Sequence, residues 1–125
     1  MKCLEFDIHQ NIRTYQFHVL NQDLHQNVFH YACGYGIEET VKFLIQNAKK
    51  YDIDLNARNI RGSTPFHFAC FNGRLQTVKI LLKNSKKYNI DICSKNNAGI
   101  DGQAFAEQEG HNDIVKLIKN WKKIV

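Results

Sequence analysis

Backbone breakers are scarce in this chain: Pro65 is its single proline and only seven glycines accompany it in 125 residues. That scarcity excludes collagen-like, proline-rich and glycine/serine-linker compositions. Long hydrophobic runs are missing too. No apolar run exceeds four residues, and the cluster Phe43-Leu44-Ile45 stands between Lys42 and Gln46, far short of the roughly 18 to 20 residues a bilayer span requires. The opening residues MKCLEFDIHQ hold no secretory hydrophobic stretch, because Glu5, Asp7 and His9 interrupt it. The four cysteines, Cys3, Cys33, Cys70 and Cys93, are therefore read as reduced thiols of an intracellular protein, cytoplasmic or nuclear, and not as two disulfides. Acidic residues are in deficit, twelve against seventeen Lys and Arg. The resulting +5 helps solubility and weakly favours acidic partners, and it says nothing about fold.

What is present is core material. Aromatic residues make up 11% of the chain, which excludes disorder, and the length suits one domain. The main signal is internal repetition, which has to be sought first because missing it misassigns a fold. A shift of 37 positions lays Phe29-His30 on Phe66-His67, Ala32-Cys33 on Ala69-Cys70, and Gly36 on Gly73. It continues with Thr40-Val41-Lys42 on Thr77-Val78-Lys79 and Lys49-Lys50-Tyr51 on Lys86-Lys87-Tyr88, and Ile53-Asp54 and Ile90-Asp91 close the series. Sixteen of the 37 positions are identical between residues 25–61 and 62–98. A third copy, 99–125, keeps Phe105-Ala106, Gly110 and Val115-Lys116.

Each copy reads as two short helices and an extended turn. Thr64-Pro65 opens a first helix, with Thr able to cap and Pro in a turn that tolerates it. Gly73 ends that helix. Val78, Leu81 and Leu82 fall at i, i+3 and i+4, one face of a second helix. Paired lysines at its end complement the helix dipole. The pattern predicts helix pairs at 28–35 and 38–50, 66–72 and 75–87, and 103–109 and 112–123, each second helix at least one turn longer than its first.

Gly62-Ser63-Thr64-Pro65-Phe66-His67-Phe68-Ala69 resembles the G-x-T-P-L-H-x-A signature of the ankyrin repeat. Residues 72–82 resemble that family's second helix, and Ile53-Asp54-Leu55-Asn56-Ala57 resembles its A-D-V-N-A stretch. The resemblance implies an all-α repeat fold, an ankyrin-type α-solenoid of three helix pairs with extended turns behind a short N-terminal capping segment, residues 1–24. Three departures stand out. The period is 37 where the family's is 33, and the four extra residues are about one helical turn, read as a lengthened second helix. The first copy has Asn27-Val28 where Thr-Pro is expected. The final copy has Asp101-Gly102-Gln103-Ala104 there, with Lys119 at an apolar position. Both read as caps, whose outer faces meet water. In residues 1–24, Leu4, Phe6 and Ile8 alternate, as do Tyr15, Phe17 and Val19, which suggests a β-hairpin. Leu4, Ile8, Ile12 and Tyr15 also match a helical face, so a degenerate earlier repeat stays open.

Little catalytic chemistry can be assembled. His30, Cys33, His67 and Cys70 make a zinc-ligand inventory, but the resemblance implies a structural histidine and a small buried site for the cysteine. A catalytic thiolate needs exposure and an electropositive setting, and no glycine-rich phosphate loop follows a strand. No cofactor, metal or small-molecule substrate is expected. The function implied is non-catalytic protein–protein recognition, by a monomer, through turn tips and a concave first-helix surface. Carried over by position, the contact sites are Asp23, Leu24, Gln26 and Tyr35. The second copy adds Arg58, Ile60, Arg61, Ser63, Phe71 and Asn72, and the third Lys95, Asn97, Gln108 and Glu109. Tyr35 and Phe71 are read as equivalent, with Arg58 and Arg61 beside Phe71, a combination suited to binding hot spots. The alternative is polyanion or nucleic-acid binding through two lysine rows, Lys42, Lys79 and Lys116, and Lys49, Lys86 and Lys123, on the convex helix face. A spacer without binding of its own is the third reading.

Overall fold

The computed structural model describes residues 26–124. They form six α-helices: α1 Val28–Tyr35, α2 Glu38–Gln46, α3 Pro65–Phe71, α4 Leu75–Tyr88, α5 Gly102–Gln108 and α6 Asn112–Ile124. The hairpin-or-repeat question over residues 1–24 lies outside the described residues, as do Cys3, Asp23 and Leu24.

Each first helix starts at a side-chain cap, and the caps recur every 37 residues as Asn27, Thr64 and Asp101. Asn27 Oδ1 accepts from the backbone N–H groups of Phe29 and His30. Thr64 Oγ1 accepts from His67 and Asp101 from Ala104. These bonds satisfy donors that an uncapped helix start leaves orphaned. Gly36, Gly73 and Gly110, also 37 apart, close the first helices at φ of 67°, 70° and 74°, a region cheap for glycine alone. The first helices α1, α3 and α5 pack side by side in one layer, and α2, α4 and α6 form the second. Between the layers lie Phe29, Leu44, Val78, Leu81, Ile114 and Ile118, all essentially inaccessible to solvent. Small residues line the contact between neighbouring first helices: Ala32, Cys33, Ala69, Cys70 and Ala106 are all fully buried. Among the described residues, Cys33, Cys70 and Cys93 are free thiols, the last exposed.

The predicted helices are present, with one correction. The second copy's extra residues extend a helix, for α4 has 14 residues against 7 in α3. In the first copy α2 stops at Gln46 with 9 residues, one more than α1. Asn47 leaves helical geometry at φ −114°, ψ 18°, and its side chain donates to Phe43 O at 2.9 Å. Asn is a weak helix former because its amide competes for nearby backbone groups. In the already longer α4, Asn84 makes the same bond to Ile80 O and the helix continues. Both copies nevertheless end alike. Asp52 and Asn89 occupy matching positions at φ 53° and 55°, and Ile53 and Ile90 donate to Ala48 O and Ser85 O at 2.8 and 2.9 Å.

Candidate functional site

Two histidines tie each copy to the next. His67 Nδ1 accepts the Thr64 backbone N–H at 2.9 Å, so Nε2 carries the ring proton and donates it to Ile100 O at 3.0 Å. His30 repeats the arrangement, accepting from Asn27 N–H and donating to Ser63 O. Both rings are buried, and burial is the largest influence holding their pKa values below the ordinary 6.5, against the opposing hydrogen bonds to Ser63 and Ile100. With both nitrogens of each ring engaged, neither histidine has a lone pair to offer a metal. Burial likewise pushes up the Cys33 and Cys70 thiols, which keeps them protonated rather than nucleophilic.

Each histidine also meets an aromatic edge of the following copy. His30 and Phe68 have centroids 5.0 Å apart at 64°, and His67 and Phe105 5.7 Å apart at 88°. Phe105 then meets Phe71 edge-on at 5.4 Å. At the other end of the first helices, donors reach back. Arg74 Nε and Asn72 Nδ2 donate to Gly34 O, and His111 Nε2 donates to Phe71 O at 3.1 Å.

The turn tips are stapled together by the same economy. Asn59 Oδ1 accepts from Arg61 and Ser63 N–H, and Asn96 Oδ1 does so from Ala98 and Ile100. Across the two tips, Asn97 donates from its backbone to Arg61 O and from its side chain to Ile60 O.

Between these tips and the first helices runs a groove of about 900 Å³. The structure brings Gln26, Ile60, Arg61, Ser63, Phe71, Asn72 and Asn97 together along it. Ile60 and Phe71 are 50% and 44% exposed, so the groove carries uncovered apolar surface. Its lining includes one cation, Arg61, and no carboxylate.

Other expected residues fall elsewhere. Arg58 does not flank Phe71; its guanidinium donates to Gly62 O and Lys95 O at 3.2 and 2.9 Å, and these carbonyls hold it between the turns. Tyr35 is not the counterpart of Phe71, because the 37-residue offset pairs Tyr35 with Asn72. It is exposed and lies against Tyr31 at 4.6 Å, away from the groove. Ser63 lines the groove yet is buried. Lys95, Gln108 and Glu109 are exposed but outside the lining. Sequence reasoning missed Phe68, Phe105 and Ile100, which also line it. The signal was there: Tyr31, Phe68 and Phe105 recur every 37 residues as an aromatic column.

A second, smaller cavity of about 650 Å³ lies between the turn after α2 and the end of α4. Its lining includes Lys49 and Lys87 together with Asp52 and Asp54. The two lysine rows stand exposed on the second-helix layer. No helix of the described residues is long and apolar enough to cross a membrane.

A comparison with curated proteins returned no match. The family model for ankyrin repeats, which describes three copies, matches residues 5–96. That match begins inside the segment read as a cap and stops short of the third helix pair, α5 and α6, which continues the same two layers. With caps, glycines and histidine links recurring every 37 residues and a family match over well more than half its length, the chain belongs to the ankyrin repeat family.

Proposed function

We propose that the groove receives an extended segment of another protein, setting an apolar side chain against Ile60, Phe71 and Phe105 and a carboxylate toward Arg61. Ankyrin repeats are in general protein–protein interaction modules and typically non-catalytic. The observation that carries the reading is the composition of the groove: half-exposed Ile60 and Phe71 beside a lone arginine, with no acidic residue in the lining. Buried aromatic and aliphatic anchors give most of the energy of such interfaces, and a planar guanidinium pairs bidentately with a carboxylate. Asn72 and Asn97 use their amide N–H groups within the fold, which leaves their carbonyl oxygens to accept from a bound backbone. Lys95, Gln108 and Glu109, exposed beyond the lining, are secondary contacts. The chain binds as a monomer, without cofactor.

The test is selection from a random peptide library displayed against the whole protein. The expected winners pair an apolar residue with Asp or Glu, and lose about tenfold or more in affinity against Phe71→Ala and Arg61→Ala, a loss of roughly 1.4 kcal/mol. Winners that bind both variants as well as the parent would place recognition elsewhere.

A further inference from the structure

The net charge is not spread evenly over the fold. Residues 38–51, 75–88 and 112–124, the second helices and the turn after α2 as far as Tyr51, hold eleven lysines and three acids, with Asp52 next in that turn. Those acids, Glu38, Glu39 and Asp113, stand in first helical turns. The remaining described residues hold four cations, Arg58, Arg61, Arg74 and Lys95, against six acids. The excess positive charge is thus a property of one layer.

Within that layer the lysines share a face. In α4 the buried stripe is Val78, Leu81, Leu82 and Ser85, and Lys79, Lys83 and Lys86 stand exposed on the other side. Lys116 and Lys123 repeat Lys79 and Lys86 on α6, where Lys119, at the register of the buried Leu82, is exposed as well, and Lys42 and Lys49 continue the rows beside α2. Seven helical residues rise about 10.5 Å, and packed helices lie about 8 to 10 Å apart. On α4 and α6 the result is a grid of lysine positions about 10 Å apart in both directions, with Lys42 and Lys49 extending it past the end of α2.

Three features choose among polyanions. No large hydrophobic stands fully exposed within the face: among the described residues only Ile37 and Ile124 of the exposed ones adjoin second helices, both at their ends, and Ile80, Leu117 and Trp121 are half-buried against the core. Protein interfaces and membrane insertion both draw on such anchors, whereas a phosphodiester backbone binds through charge alone. The cations are all lysine, point charges on flexible stems without the planar fork that reads base edges. The rings of Tyr51 and Tyr88 have the Lys50 and Lys87 ammonium groups over them at 5.5 and 5.4 Å, which compete there with the stacking of single-stranded bases.

We infer that the lysine face of α2, α4 and α6 binds the phosphate backbone of duplex nucleic acid independently of base sequence. A span of about 20 Å along a duplex presents about twelve phosphates, ample for the grid to engage five or six. This face is separate from the groove, so the two readings fail separately.

The experiment is fluorescence anisotropy of the full chain with a labelled 20-base-pair duplex of arbitrary sequence, from low to moderate salt. Log K is expected to fall against log salt with a slope of about −4.5 to −5.5, at about −0.9 per phosphate, unchanged when the sequence is scrambled. The triple variant Lys79→Gln, Lys83→Gln, Lys86→Gln should bind at least tenfold more weakly, while Phe71→Ala binds as the parent does. Circular dichroism checks that the triple variant keeps its helices; if it does not, Lys116→Gln with Lys119→Gln is read in the same way. A slope shallower than −2, equal binding by the folded lysine variant, or tighter binding to phosphatidylserine vesicles than to the duplex at the same salt would overturn the assignment.

Discussion

His30 and His67 act only as neutral rings, each with one nitrogen accepting and the other donating. A proton added at Nδ1 would turn an acceptor toward a backbone N–H that already points at it. Burial holds both folded pKa values below 6.5, so the unfolded chain binds more protons than the folded one in mild acid. Stability is therefore full above pH 6.5, falls as pH drops below it, and levels off once the folded rings titrate. Melting temperatures between pH 7.5 and 5 should show this slope, reduced in His67→Gln. The thiols offer a second check. Native labelling followed by mass spectrometry should find Cys93 fast, and Cys33 and Cys70 modified only on denaturation, since the one is exposed and the others buried. Phe71→Ala gives a third. The ring is 44% exposed but edge-on to Phe105, so its loss should cost about 1 to 2 kcal/mol of folding stability by denaturant titration and at least as much in peptide affinity. Residue identities of this kind were partly legible in the sequence. The histidine and cysteine positions followed from the resemblance, whereas Arg58 was misplaced beside Phe71, because the carbonyls that hold it belong to turn conformations no periodicity encodes.

At the scale of the element, pattern was a good guide to where helices begin and a poorer one to where they end. The cap at Thr64 could be read directly, whereas Asn27 and Asp101, which stood out only as departures from Thr-Pro, cap the equivalent helices in the same register. The end of α2 could not. Residues 47–50 and 84–87 are nearly the same letters, Asn-Ala-Lys-Lys and Asn-Ser-Lys-Lys, yet one follows a helix of 9 residues and the other lies within one of 14. Local propensities there are close to balanced, and small differences in packing decide. The approach of one first helix to the next is less forgiving. A Cβ on Gly102 would stand 2.5 Å from Phe66 Cε2 and 3.0 Å from Cys70 Sγ. Gly102→Ala should therefore force α5 away from α3 and destabilise the fold by about 1 to 3 kcal/mol, despite the helix propensity alanine adds. Thermal denaturation would reveal it, and an unchanged or raised melting temperature would show that Phe66 can move aside.

For the molecule as a whole, the two-layer stack was legible and the groove only half so. Turn tips and first-helix ends could be named in advance, but which of them converge depends on how far one copy is rotated on the next. Phe105, two helices along, became part of the same wall as Phe71 for that reason. The rotation is fixed at two separated points. Histidines near the start of α1 and α3 reach forward to Ser63 O and Ile100 O, while Arg74 and His111 near their ends reach back to Gly34 O and Phe71 O. A single attachment would let one copy swivel about it; two attachments a helix length apart resist torsion. The stack therefore behaves as a stiff plate rather than a hinge, and a segment entering the groove meets a wall whose shape does not wait for its arrival. Association should then follow a single kinetic phase proportional to concentration, with differences between ligands carried by how fast they leave.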